Sequence, residues 1–170
     1  YKQDNNSYKV LVTDSYEYNN PREDRILSWD FIIENGEFSV GPATALGSPT
    51  LYQVESIQAD KHYQTLLVAE EMKEHHKVLA LDLMTGEVIK EDLGNFDRGN
   101  DPEGIALVIN KDNNGYWICT EQSKTDNRFH LYDRKTLEYK TTMYLDNVSY
   151  TDGIATAYMH GKWYLYAVDN

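Results

Sequence analysis

Short apolar runs separated by polar turns carry the pattern of this chain, and no window keeps the apolar spacing of an amphipathic helix. Residues 8–13, Tyr-Lys-Val-Leu-Val-Thr, are apolar and β-branched and stop at Asp14, which predicts a strand. Residues 25–33 predict a second, with Trp29 and Phe31 on one face. Asn35-Gly36 then predicts a tight hairpin into a return strand at 38–40, and residues 42–49 read as loop. Beyond that point the strands fall into units, at 55–59, 65–70, 77–83 and 87–93, and again at 104–109, 116–120, 128–132 and 137–144. Residues 70–77 tolerate a helix, but they lack an apolar stripe and sit between two strands of a repeat, so a loop is expected there.

The units repeat in sequence as well as in pattern. Glu55-Ser56-Ile57, Glu103-Gly104-Ile105 and Asp152-Gly153-Ile154 follow one another at intervals of about fifty residues. Each is followed by a strand that runs into a second acid, read here as Glu71, Glu121 and Asp169. Four short strands per period of about fifty residues is the signature of a propeller blade. The expected fold is therefore all-β, a β-propeller with about three to four blades, organised as one partial domain over residues 1–170. Propellers close with about four to eight blades, so the chain is expected to be part of a longer propeller.

Charge narrows the function classes. The net charge of −12, with no cluster of Lys and Arg, disfavours nucleic-acid binding and docking to an anionic membrane. No apolar run is long enough to insert in a membrane as a helix. Fourteen tyrosines favour strands. Cys119 is the single cysteine, so an intramolecular disulfide is excluded, and its neighbours Trp117 and Ile118 predict a buried structural thiol.

In a propeller the innermost strands surround a channel, and acids at a fixed blade position converge at its mouth. Glu55, Glu71, Asp101, Glu103 and Asp152, with Glu121 as a further candidate, would then repel one another strongly. Calcium relieves that repulsion, because it accepts six to eight oxygen ligands from separate segments. The competing reading is structural: an acid before a glycine often forms a turn by bonding the backbone two residues on. The remaining motifs carry less. His75-His76 lacks a zinc spacing, no Gly-x-Ser-x-Gly elbow is present, and Asp112-Asn113-Asn114-Gly115 reads as a hairpin turn. Lys77, Lys124 and Arg128 are expected to be solvated charges on blade edges.

Four of these segments, in order, resemble the β-propeller phytases. They are Glu55-Ser56-Ile57 leading to Leu66-Leu67-Val68-Ala69-Glu70-Glu71; Asn100-Asp101-Pro102-Glu103-Gly104; Glu121-Gln122 leading to Leu131-Tyr132-Asp133-Arg134; and Tyr150-Thr151-Asp152-Gly153-Ile154. Ala167-Val168-Asp169-Asn170 is similar to a further family segment. The resemblance implies a six-bladed, calcium-dependent hydrolase of inositol phosphates that is secreted or periplasmic. It implies Glu55, Glu71, Asp101, Glu103 and Asp152 as calcium ligands, with Glu55, Asp101 and Glu103 also serving the attack of a metal-activated water on phosphorus. Two departures stand out: Ser56 replaces a glycine, and Asp14-Ser15-Tyr16 stands where the family has a phosphate-binding lysine. The alternatives are a calcium-bound propeller that binds a ligand or protein without turnover, and a lactonase- or esterase-like propeller hydrolase with one metal.

Overall fold

The computed structural model describes residues 1–168 apart from residues 5, 17, 18, 98 and 146, so Asp169 lies outside the described residues. Its fourteen described strands form four antiparallel sheets. The first sheet comprises β1 (Ser7–Thr13), β2 (Ile26–Glu34) and β3 (Glu37–Val40), with β4 (Thr44–Ala45) also paired to β2. The second runs in order through β5 (Val54–Asp60), β6 (Thr65–Glu70), β7 (Lys77–Asp82) and β8 (Val88–Lys90). The third does the same through β9 (Asp101–Ile109), β10 (Gly115–Gln122), β11 (Arg128–Asp133) and β12 (Tyr139–Tyr144). The fourth is the pair β13 (Ile154–Met159) and β14 (Lys162–Ala167). This is the all-β architecture of a partial β-propeller. Among the described residues no helix is long and apolar enough to cross a membrane.

Local chemistry sets most of the element boundaries. Asn35 and Gly36 both take positive φ, 53° and 82°, the twist a two-residue hairpin needs between right-twisted strands. Residues 71–76 form turns and no helix. Most boundaries shift by one or two residues, and three features differ more. Residues 42–49 contain the short strand β4, the outer strand of the second blade is only β8, and β9 begins three residues earlier than the apolar run, at Asp101.

β6 is buried at every position, and its two faces enter two different cores. Leu66 and Val68 pack with Ile26, Leu51, Val54, Leu79 and Leu81 toward the first sheet. Leu67 and Ala69 pack with Ala80, Ile105, Trp117, Cys119 and Tyr132 toward the third. Successive side chains on a strand point to opposite faces, so a blade held between two others has to be apolar at every step. Cys119 is fully buried, and its thiol pKa is driven far upward by desolvation, which makes it the structural thiol its neighbours predicted.

Polar contacts fix how the blades sit against each other. Ser56 Oγ donates a short hydrogen bond to the Glu103 carbonyl, and Thr156 Oγ1 donates to the Leu107 carbonyl at 2.8 Å. A Cβ on Gly104 would lie 2.8 Å from the Ile154 backbone nitrogen. In the first two acid-small-Ile triplets the small residue thus lies against the next inner strand, whereas a Cβ on Gly153 would meet only the Val168 side chain, at 3.9 Å. At the other end of β5, Arg134 clamps Asp60 with two bonds of 2.6 and 2.7 Å, both side chains being 2% exposed. Arg134 also donates to the Asn113 carbonyl at 2.6 Å and lies over the Tyr63 ring.

Removing one partner of such a buried pair strands a charge in the interior. Arg134→Ala is expected to destabilise the fold by about 3–5 kcal/mol, measured by denaturant unfolding; a loss below about 1 kcal/mol would show the clamp to be solvated. Gly104→Ala should lower the melting temperature while Ser56→Ala lowers it less, because only the former drives a side chain into backbone. Equal melting temperatures for the two variants would contradict that packing.

Candidate functional site

The three acid-small-Ile triplets occupy the same place in their sheets. Ile57 pairs with Val68, Ile105 with Cys119 and Ile154 with Ala167, so Glu55, Glu103 and Asp152 are structural equivalents. In the second blade Val54 pairs with Glu70 and Ser56 with Ala69, which leaves Glu55 as an extra residue between two paired positions. In the third, Pro102 pairs with Glu121 and Ile105 with Cys119, so the extra residue falls at Glu103-Gly104. A bulge re-aims the side chain it carries, and here two bulges aim carboxylates at the start of the inner strands.

These acids sense each other. Glu103 is 7% exposed, and its pKa is raised to about 8 by burial first, then by the charges of Glu71, Glu55, Asp152 and Asp101. Glu71 is likewise raised to about 8, by burial, by a carboxyl–carboxyl hydrogen bond with Glu55, and by the charges of Glu55, Asp101 and Asp152. All five residues read from sequence are therefore brought to one end of the inner strands, from three blades. Two amides and an imidazole meet them. Gln53 Nε2 donates to Glu55 Oε1 at 3.0 Å and to Glu71; Gln122 Nε2 donates to Asp152 Oδ1 at 2.6 Å; and His76 Nε2 lies 3.1 Å from Asp101 Oδ1. Gln53, Gln122 and His76 were invisible as site residues in the sequence, since nothing in their spacing marks them. Beside His76 opens a groove of about 460 Å³ lined also by Lys73, Phe96 and Asp97, within the size range of small-ligand pockets.

The second acids behave differently from the reading above. In the strand register Glu121 is the counterpart of Glu70, and Gln122 that of Glu71. Glu121 is fully buried and turned away from the mouth: His130 Nε2 lies 2.6 Å from Oε2, while Asn100 Nδ2 at 2.5 Å and Arg128 at 3.3 Å donate to Oε1. It therefore belongs to an internal network and not to the ring of acids. Arg128 is no solvated edge charge either, since it also pairs with Asp97 and Asp126. Asp14, where the resemblance expects a lysine, pairs with Arg22 and approaches the fully buried Arg25.

The donor set consists of hard carboxylate oxygens whose burial and mutual charge raise two pKa values, which fits a divalent cation such as calcium. Among the described residues, no three His, Cys, Asp or Glu side chains already surround a point that a metal could occupy. The carboxylates are instead spread onto Gln53, Gln122 and His76, contacts that a cation would have to replace.

A raised carboxyl pKa stabilises the fold fully below the unfolded value, near 4.5, and that contribution is lost as pH rises through about 8. Without divalent cations, the chain is expected to lose stability across that window. Glu103→Gln should remove part of the loss, making the variant more stable than the parent at pH 8 by about 1–3 kcal/mol and equal to it near pH 4.5. Parallel stability curves for the two proteins would show that Glu103 is not crowded by its neighbours.

A family model described as "Phytase" matches residues 32–166. No curated protein matches the chain. Among solved structures, "Structure of Dos1 propeller" is similar with a TM-score of 0.46 and 6% identity; the match covers 79% of this chain and 36% of that one, so this chain spans about a third of its length. The family match enters in β2, ends in β14, and takes in all five crowded acids and the three triplets that place them, so the chain belongs to the phytase family of β-propellers.

Proposed function

We propose that this chain forms part of a calcium-dependent phosphomonoester hydrolase that releases phosphate from inositol phosphates, with Glu55, Glu71, Asp101, Glu103 and Asp152 as the metal-holding residues. The observation that carries this reading is the convergence of those five acids, where burial first and then their mutual charge drive Glu71 and Glu103 up to about 8. A phosphate ester is an anion, and a mouth lined with carboxylates repels it unless cations intervene. Calcium held there supplies charge neutralisation and lowers the pKa of a bound water.

The chain's own residues do the holding and orienting. Glu55 and Glu71 share the donor of Gln53, so they are held as a pair. Asp101 and Glu103 leave the start of β9 two positions apart, with Asp101 steadied by His76. Glu55, Asp101 and Glu103 are the residues assigned to serve the attacking water, and the groove beside His76 offers room for the rest of the substrate. A secreted or periplasmic location accords with a calcium-dependent enzyme, since calcium is plentiful there.

The second reading, a calcium-bound propeller that binds its ligand without turnover, is favoured by one observation. Asp14 is engaged with Arg22 and Arg25, so that position presents no cation to a phosphate. Phosphate release from phytate by the full-length protein separates the two. Release in calcium that stops with chelator is expected; calcium binding without release supports the second reading, and neither release nor binding overturns both.

A further inference from the structure

We infer that Glu70 and Glu121 are positioning residues, repeated from blade to blade, that hold the segments carrying the calcium ligands in place; this rests on the proposed metal site. Each is the last acid of the second strand in its blade and pairs across the sheet with the start of the inner strand, Glu70 with Val54 and Glu121 with Pro102. Both carboxylates are almost wholly buried, at 1% and 0% exposure. A buried carboxylate is tolerated only when hydrogen bonds saturate it, so whatever supplies those bonds is itself fixed.

In both blades donors come from the stretch just ahead of the site acids, joined by the Met72 N–H on Glu70 at 3.4 Å and Arg128 on Glu121 at 3.3 Å. Glu70 accepts the backbone N–H of Tyr52 at 2.9 Å and of Gln53 at 2.7 Å, two residues before Glu55. Gln53 then extends its own amide to Glu55 and Glu71. Glu121 accepts the side-chain amide of Asn100, the residue immediately before Asp101 and three before Glu103. Behind Glu121 stands a second tier: His130 bonds its Oε2, and the other ring nitrogen lies 2.8 Å from Thr142 Oγ1. Phe96 packs against the His130 ring edge at 4.9 Å and fixes its plane. The mouth-side residue at the end of the second strand is Glu71 in one blade and Gln122 in the next, while its neighbour on the opposite face, Glu70 or Glu121, anchors the approach to the site acids.

The reach of this device is the bulge. Glu55 and Glu103 lie at irregular positions whose direction the ladder does not dictate, so the residues leading into them must be fixed from elsewhere. Partners one layer behind metal ligands usually matter for affinity by about 10–100-fold.

The test compares the parent chain with Glu70→Gln, Glu121→Gln and Asn100→Ala. Calcium affinity is read by titration calorimetry, and melting temperature is read in chelator. Asn100→Ala leaves Glu121 its His130 and Arg128 contacts, so it keeps the test open if a glutamate variant fails to fold. Arg134→Lys, which disturbs the clamp at the far end of β5, serves as the control for stability alone. Calcium affinity about tenfold or more weaker in the three variants, with the Arg134→Lys affinity unchanged despite a lower melting temperature, is the expected result. A parent that binds calcium alongside variants that bind it as tightly overturns the positioning role and leaves the metal site standing. A parent that takes up no calcium overturns the metal site and this role together.

Discussion

Neighbouring inner strands approach one another closely enough that only a small residue fits between them, and the remaining geometry follows from that contact. Ser56 meets the Glu103 carbonyl, and Gly104 meets the backbone at Ile154. Each of these residues follows an acid, so the same contact that stacks the blades draws Glu55, Glu103 and Asp152 toward a shared mouth. A larger residue at the contact would separate the blades and dilute the charge. Ser56 in place of glycine is consequently a conservative change here: its hydroxyl reaches the very carbonyl that the tight approach brings near.

The molecule has two differently built ends. At the mouth, carboxylates repel one another and are held by amides and a histidine. At the far end of β5, about 16 Å away at the rise of an extended strand, Asp60 and Arg134 form a buried, bidentate pair between blades. The two ends are complementary in sense. The clamp and the apolar cores on both faces of β6 supply cohesion, which lets the mouth retain charges that oppose folding.

Much of the fold was legible in the sequence. Alternation and turn residues located β1, β2, β6, β7 and the Asn35-Gly36 hairpin, because those signals are local. β4, the shortness of β8 and the early start of β9 were not, since they depend on pairing partners far along the chain. Glu55, Glu103 and Asp152 were legible because they recur at the blade period, Glu71 because it ends the strand that follows Glu55, and Asp101 because it stands two positions before Glu103. Gln53, Gln122 and His76 were not, because an amide or an imidazole acquires its role only from the carboxylate it meets.

What the sequence determined by itself was the repeat: a propeller blade of about fifty residues, an acid-small-Ile triplet opening each inner strand, and a second acid closing the next. Only the tertiary structure decided which of the second acids share a role. Counting along the chain matches Glu71 with Glu121, yet the ladder matches Glu70 with Glu121 and Glu71 with Gln122. The reason is the two-residue period of a strand. A slip of one position leaves the sequence spacing nearly unchanged but turns a side chain from the mouth into the interior, and only pairing with the neighbouring strand sets that register.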